Sequence, residues 1–249
     1  MNTCVTEVGL LVPVAVDQLV PQCAQHALEL LQKLGYKVLY PSELTATGRE
    51  LYHQGDRETA KQLGTQLIEQ FDSCSHIVSL SSAEVVYIQQ HFSRLFHNTT
   101  LHNSYRQFVE RCYEFSDFMM QVAHVEASGS SFAHRVALLD HCTSLRGYRS
   151  PAAPEHAGLH DQPRTLLERV EGLQLVEMAE QEVCCGYGGL FVSQFTPISD
   201  SLAQRKVTNA LNAGAEYLTS TEPTCLMHLQ SYIAKLNLEL KTITLPELF

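Results

Sequence analysis

The chain has 249 residues, of which 45% are hydrophobic and 18% are charged, and its formal net charge is −10 at pH 7. These values are typical of a globular protein with one large domain or two small ones. Lysine and arginine residues form no basic cluster, which argues against binding to nucleic acid. The longest apolar run covers residues 8–16, well short of the ~20 residues that span a membrane. Because Glu7 precedes that run, we expect no export signal and predict a cytoplasmic protein.

Short apolar runs alternate with amphipathic helical patterns along the chain, and this alternation predicts a parallel α/β structure. In the first half we predict strands at residues 8–12, 37–40 and 76–80 and helices at 19–34 and 56–71. In the second half we predict strands at 136–139 and 216–219 and helices at 199–213 and 226–236.

The second half of the sequence repeats the first. Residues 136–142 align with 8–14, residues 183–186 with 45–48, and residues 222–230 with 81–89. Two halves that share such an order of matching segments are expected to fold alike. We therefore predict an α/β protein made of two similar Rossmann-like parallel-sheet halves that are related by an internal repeat.

The region between the two halves predicts a linker. Apolar residues at helical spacing, from Phe108 to Met119, indicate a helix over residues 104–124, and a glycine–serine run at 127–131 indicates a flexible joint. The predicted organisation is a first repeat at 1–98, a linker helix at 99–134 and a second repeat at 135–249.

Four of the eight cysteines are candidate metal ligands. Without export, cysteines indicate metal or redox chemistry rather than disulfides. Adjacent Cys184 and Cys185 precede a glycine-rich run, which suits two soft ligands on a flexible backbone. Cys142 follows a predicted strand, and Cys225 opens a predicted helix, where a thiolate is favoured. Because sites in open α/β sheets form beyond the carboxyl ends of the strands, we expect all four to converge.

The remaining candidates have simpler interpretations. Cys23 and Cys112 lie on apolar helical faces and are predicted to be core residues, while Cys4 and Cys74 have no evident partner. The glycines after Cys185 do not form the GxGxxG pattern of a nucleotide site. His141 and His228, next to or near predicted ligands, either support those ligands by hydrogen bonds or are exposed, and exposure is the favoured interpretation.

Four motifs of the second half, at residues 142–146, 161–164, 184–191 and 224–228, resemble the cysteine-rich CCG domain. This domain occurs in the iron–sulfur subunit of bacterial lactate-utilization complexes. Related domains occur in the iron–sulfur subunits of glycolate oxidase and glycerol-3-phosphate dehydrogenase and in heterodisulfide reductase. The resemblance covers nearly the whole chain and implies iron–sulfur ligation by Cys142, Cys184, Cys185 and Cys225.

The first repeat departs from the pattern of that family, in which each repeat normally carries its own cysteines. Val14 replaces the first cysteine, Ala46 and Thr47 replace the adjacent pair, and Glu84 replaces the last one. Thr143 also replaces a usual histidine. The family thus implies two centres, whereas this chain has ligands for one.

Three functions remain open from the sequence. In the first, the four cysteines hold one [4Fe–4S] cluster in a non-catalytic electron-transfer subunit, whose partner subunits oxidise L-lactate or a related 2-hydroxyacid. In the second, the same cysteines bind structural Zn²⁺ in a binding or regulatory module. In the third, Cys184 and Cys185 act as a metal-free redox dithiol. The spacing of the four cysteines does not distinguish cluster from zinc.

Overall fold

The computed structural model describes residues 7–41, 43, 46–126, 129–148 and 161–249. Cys4, Thr45 and residues 127–128 of the predicted joint lie outside this part of the chain. The chain divides into two compact units, Met1–Phe118 and Met119–Phe249. In the described residues, no helix combines the length and the apolar character needed to cross a membrane.

The first unit is built on a four-stranded parallel sheet with the strand order β2-β1-β3-β4. The strands are β1 (Glu7–Leu11), β2 (Lys37–Leu39), β3 (His76–Ser79) and β4 (Cys112–Glu114). The helices of this unit are α1 (Val14–Leu19), α2 (Pro21–Lys33), α3 (Arg49–Gln54), α4 (Arg57–Gln70), α5 (Ser82–Phe96) and α6 (His102–Glu110). Helix α7 (Phe115–Gln121) contains the division between the units, which falls after Phe118.

The second unit has the same kind of sheet, with the parallel strand order β6-β5-β7-β8. Its strands are β5 (Arg135–Leu139), β6 (Gln174–Val176), β7 (Tyr217–Ser220) and β8 (Lys241–Thr242). Its helices are α8 (Cys142–Tyr148), α9 (Gln162–Leu167), α10 (Phe191–Gln194), α11 (Thr196–Asn212) and α12 (Pro223–Leu236), followed by a 3-10 helix at Leu245–Leu248. The prediction of two similar parallel-sheet halves is confirmed.

The two central strands show how the repeated sequence is packed. Strands β1 and β5 are buried almost throughout, as expected for strands covered on both faces. A side chain at Gly9 of β1 would begin 2.3 Å from the ring of Phe71. The repeat has Ala137 at the matching position of β5, and this residue is fully buried. The glycine in the first unit therefore makes room for a large aromatic residue in its core.

Two helix predictions were wrong in detail. The predicted helix at 19–34 is divided at Val20, whose φ of −139° and ψ of 52° are not helical. Pro21 follows, and a residue before proline is disfavoured in the α conformation. The linker helix predicted at 104–124 is not continuous, because Cys112–Glu114 forms β4 and pairs with β3. The predicted division into domains at residues 1–98, 99–134 and 135–249 stays a prediction.

Candidate metal centre

The four predicted ligands belong to three segments at the carboxyl edge of the second sheet. Cys142 is the first residue of α8, which follows β5, and Cys225 is the third residue of α12, which follows β7. Cys184 and Cys185 lie in the loop between β6 and α10. The predicted convergence at this edge follows from the parallel sheet, since all its strands end on the same side.

The sulfur atoms of these residues form two hydrogen-bonded pairs. The Cys142 Sγ donates to the Cys184 Sγ at 3.8 Å, and the Cys185 Sγ donates to the Cys225 Sγ at 3.0 Å. A further hydrogen bond joins Cys184 to Cys185 and links the two pairs. Cys185 and Cys225 are each 4% exposed, whereas Cys142 and Cys184 are partly exposed. The structure thus brings together residues that lie up to 83 positions apart in sequence, from Cys142 to Cys225.

The glycine that follows the cysteine pair is required by the geometry of the loop. Gly186 has a φ of +96°, in the left-handed region that favours glycine. A Cβ atom there would lie 2.6 Å from the backbone oxygen of Ser199 in α11. The Ser199 hydroxyl donates a 2.8 Å hydrogen bond to the Gly186 carbonyl oxygen. The loop that carries Cys184 and Cys185 is therefore fixed against the start of α11.

The hydrogen bonds among the sulfurs make their acidities unequal. The bonds that Cys184 accepts from Cys142 and Cys185 hold the pKa of Cys184 far below its usual range. The hydrogen bond from Cys185 lowers the pKa of Cys225 to about 7, and a hydrogen bond with His141 contributes in the same direction. The same hydrogen bonds, together with burial, raise the pKa values of the donors Cys142 and Cys185. Cys184 and Cys225 are the sulfurs that ionise first.

The two histidines support the cysteine loop and helix, so the favoured interpretation of exposed histidines was wrong. His141 is buried and hydrogen-bonds the Cys225 sulfur. His228 lies one turn after Cys225 on α12 and is half-buried. The Nε2 atom of His228 lies 3.2 Å from the Ser199 hydroxyl, and the ring also hydrogen-bonds the backbone of Cys185. Both histidines therefore contact the segments that position the ligands.

A partly buried ion pair just before α8 is a feature that the sequence analysis did not assign. Arg164 of α9 donates two parallel hydrogen bonds to Asp140, at 2.8 and 2.7 Å. Asp140 directly precedes His141 and lies two residues before Cys142. Bidentate pairs of this kind fix geometry as well as charge. The motif at residues 161–164 thus holds the strand-to-helix turn that presents Cys142.

The first unit places other groups at the corresponding positions. Val14 is the first residue of α1, as Cys142 is of α8, and Glu84 is the third residue of α5, as Cys225 is of α12. Glu84 is 5% exposed and accepts hydrogen bonds from the Thr47 hydroxyl and from the Arg49 Nε, the latter at 2.9 Å. Burial raises the pKa of Glu84 despite the opposing charge of Arg49.

The four thiols suit a metal by their chemistry more than by their present spacing. Thiolates select zinc and iron–sulfur clusters, and either takes four cysteines. Tetrahedral zinc bonded at about 2.3 Å separates neighbouring sulfurs by about 3.8 Å, which matches the Cys142–Cys184 pair and exceeds the 3.0 Å of the Cys185–Cys225 pair. Among the described residues, no group of three or more His, Cys, Asp or Glu side chains is arranged to hold a metal ion. The donor set fits. Zinc would require the second sulfur pair to separate, and an iron–sulfur cluster, whose thiolates bind different irons, would require both pairs to separate.

Residues 136–230 match the family model of a cysteine-rich domain, CCG. All four predicted ligands lie inside the matched segment, as do both supporting histidines, whereas residues 1–135 lie outside the match.

Beyond residues 136–230, similarity to curated proteins extends over most of the chain. Lactate utilization protein A of Halalkalibacterium halodurans is 29% identical over 241 residues, which cover 97% of this chain and 95% of that protein. The protein of the same name from Geobacillus kaustophilus is 27% identical over 242 residues, with 97% of each covered.

Among solved structures, a putative Asp/Glu racemase from Yersinia pestis aligns with 98% of this chain and 95% of its own at 12% identity, with a TM-score of 0.41. A likeness at this level says nothing about the function of either unit.

Proposed function

We propose that Cys142, Cys184, Cys185 and Cys225 hold one [4Fe–4S] cluster and that the chain is an electron-transfer subunit. The observation that carries this proposal is the convergence of four cysteines, from three separate segments, at the carboxyl edge of the second sheet. Four thiolates are the usual ligand set of such a cluster. All four cysteines lie within residues 136–230, which match a cysteine-rich domain.

We further propose that the subunit serves a complex that oxidises L-lactate or a related 2-hydroxyacid. This step depends on the similarity to proteins named lactate utilization protein A, which extends over 97% of the chain. The oxidation of the organic acid itself belongs to a cofactor such as a flavin, which partner subunits would supply. The chain would then have no lactate turnover by itself.

The residues around the cysteines have distinct tasks in this proposal. A bound cluster would accept and release single electrons. The buried Cys185 and Cys225 keep water from one side of the centre, while the partly exposed Cys142 and Cys184 lie on its accessible side. His141 hydrogen-bonds the Cys225 sulfur and so orients it. The pair of Asp140 with Arg164 fixes the turn before Cys142.

Structural Zn²⁺ is the second candidate. The 3.8 Å between the sulfurs of Cys142 and Cys184 equals the spacing around tetrahedral zinc, about 3.8 Å. A closed site of four cysteines would stabilise the fold and carry no electron. The chain would then be a binding or regulatory module.

Metal analysis of protein purified without oxygen separates the two candidates. We expect roughly four irons and four acid-labile sulfides per chain, with a broad visible absorption that dithionite bleaches. Stoichiometric zinc without sulfide would overturn the cluster in favour of the zinc module. Purification in the absence of oxygen matters because exposed clusters are lost by oxidation.

A gene deletion tests the physiological part of the proposal. Deletion in a host with no second copy should prevent growth on lactate as the carbon source and leave growth on glucose unchanged. Complementation with Cys225→Ser should fail, whereas complementation with Cys112→Ser should succeed. Normal growth of the deletion strain on lactate would contradict the assignment to lactate oxidation, whatever metal the chain binds.

A further inference from the structure

Lys206 is a lysine inside the core of the second unit. It lies on α11 and is 1% exposed. Its ammonium donates to the backbone oxygens of Glu180 and Gln181, at 2.6 and 2.9 Å. Burying an ammonium is costly unless it is well solvated by the protein. Both of these partners are neutral carbonyls, so they solvate the positive charge without cancelling it.

The carbonyls that Lys206 binds belong to the segment that leads to the cysteine pair. Glu180 has a φ of +56°, which is unusual for a residue other than glycine. Arg205 and Asn209, on the same helix as Lys206, also bind this turn, through the Glu180 carboxylate and, at 3.0 Å, the Ala179 oxygen. The backbone of Val183 closes the turn by donating to the Glu180 oxygen at 3.1 Å. Helix α11 therefore holds the chain immediately before Cys184.

The ammonium of Lys206 also lies in the field of the cysteine centre. Burial lowers the pKa of Lys206, while the negative charges of Asp140, Cys185, Glu182 and Cys184 oppose that shift. Thiolates in a poorly solvated site repel one another, and a fixed buried cation reduces that repulsion. Screening by salt is weak for such a buried charge. Since the ammonium is held on the carbonyls of Glu180 and Gln181, its charge is fixed on the segment that leads into the cysteine pair.

We propose that Lys206 is a positioning residue of the cysteine centre, which clamps the loop before Cys184 and Cys185 and supplies the buried positive charge that stabilises their thiolate-bound metal. The electrostatic part rests on the proposed metal function, whereas the clamping part does not. For a cluster, the added positive charge favours the reduced state and raises the reduction potential. For zinc, it favours retention of the metal.

Hydrogen–deuterium exchange on metal-free protein tests the clamp by itself. In Lys206→Met, which keeps the length and burial of the side chain, amides of residues 179–186 should exchange about tenfold faster, because two buried hydrogen bonds are lost. Lys235→Met is the control: it removes the same charge from an exposed position on α12 that pairs with Asp200 rather than with the turn, and it should change exchange by less than about threefold. If Lys206→Met does not fold, Lys206→Gln serves in its place. Unchanged exchange in a folded Lys206 variant would overturn the clamp.

The reduction potential of anaerobically purified protein tests the charge. Lys206→Met should make reduction about tenfold less favourable, a shift of about 59 mV to lower potential for one electron. Lys206→Arg should restore most of that shift, and Lys235→Met should leave the potential near that of the wild type. If the chain holds zinc instead, the zinc dissociation constant should rise in Lys206→Met and stay near the wild-type value in the other two variants. A Lys206→Met protein with wild-type potential or zinc affinity would overturn the electrostatic role, while metal-free wild-type protein would overturn the proposed function instead.

Discussion

The two units of this protein have the same strand order and different chemistry at the same edge. Each sheet is parallel, and each has its first strand between the second and the third. In both units the helix after the third strand carries a buried carboxyl or thiol group at its third position, Glu84 in α5 and Cys225 in α12. Gly48 and Gly186 occupy matching places, both with φ near +90°. The backbone of a cysteine site is therefore present twice, but the cysteines are present once.

This comparison separates what the fold requires from what a metal requires. A Cβ at Gly48 would lie 2.8 Å from the Ala60 oxygen of α4, and one at Gly186 would lie 2.6 Å from the Ser199 oxygen of α11. The tight approach of loop to helix is thus independent of the cysteines. In the first unit, the Glu84 carboxylate bound by Thr47 and Arg49 takes the place of the four sulfurs. The fold keeps its loop geometry with either set of contacts.

The largest expected effect comes from replacing the predicted ligands. Serine at any one of Cys142, Cys184, Cys185 or Cys225 should abolish metal binding or reduce it sharply, because one thiolate of four is lost. Serine at Cys23 or Cys112, which are buried in the first unit, should cost about 0.5–3 kcal/mol of stability and leave the metal content unchanged. Metal analysis and thermal unfolding of the six variants measure both. Equal metal loss in the two groups would contradict the assignment.

The first unit should respond to loss of its own buried network. Glu84→Ala leaves the partly buried Arg49 without this partner, and such changes in a buried pair typically cost about 3 kcal/mol. Denaturant unfolding measures this cost, and metal content should not change. Glu50→Ala removes the more exposed carboxylate that Arg49 also contacts and should cost no more than about 1 kcal/mol. Equal costs for both variants would show that the buried network is not what stabilises this edge.

The matching glycines allow the sharpest comparison of the two edges. Gly48→Ala and Gly186→Ala should each destabilise their unit by about 1–3 kcal/mol, because both combine a positive φ with a close backbone oxygen. Only Gly186→Ala should also lower the metal content. Gly189→Ala is the control, since its φ is positive but no atom lies within 4 Å of the added Cβ. Loss of metal in Gly48→Ala would show that the two edges are not independent.

The last expected effect is a pH dependence of stability in the first unit. Glu114 of β4 is buried, and burial raises its pKa to about 7 from an ordinary value of 4.5, although hydrogen bonds from Ser116 oppose the shift. The folded state therefore holds this proton more tightly than the unfolded state, and its contribution to stability is lost as the pH rises from about 4.5 to 7. Glu114→Gln should flatten the unfolding free energy over this range. An unchanged slope, with exposed Glu110→Gln as the control, would contradict the raised pKa.

The sequence predicted the central strands and the convergence of the cysteines, because both depend on short-range patterns and on the geometry of parallel sheets. It did not predict β4, since Phe108, Cys112, Phe115 and Met119 have helical spacing and a strand of three residues has too few positions to show a period of two. Strands β6 (residues 174–176) and β8 (residues 241–242) are also very short, and the sequence did not predict them for the same reason.

The roles of the residues that support the site could not be predicted from the sequence, because they depend on tertiary contacts. Lys206 occurs in an amphipathic helix, where a lysine normally indicates a solvated position, and only the tertiary structure shows that it reaches the carbonyls of Glu180 and Gln181. The sequence favoured an exposed His141, whereas the structure buries it. The burial of a residue that follows a strand depends on which segments pack over the edge of the sheet, and the sequence pattern does not show this. Residues 161–164 form one of the motifs that resemble the CCG domain, but the sequence does not show that Arg164 pairs with Asp140, which lies 24 positions away.

Native mass spectrometry of protein purified without oxygen tests the central claim, one metal centre per chain on Cys142, Cys184, Cys185 and Cys225. The account predicts that wild-type protein carries the added mass of a single cluster per chain, that Cys112→Ser carries the same mass, and that Cys225→Ser carries none. A second cluster on the wild-type chain, or a cluster retained in Cys225→Ser, would contradict it.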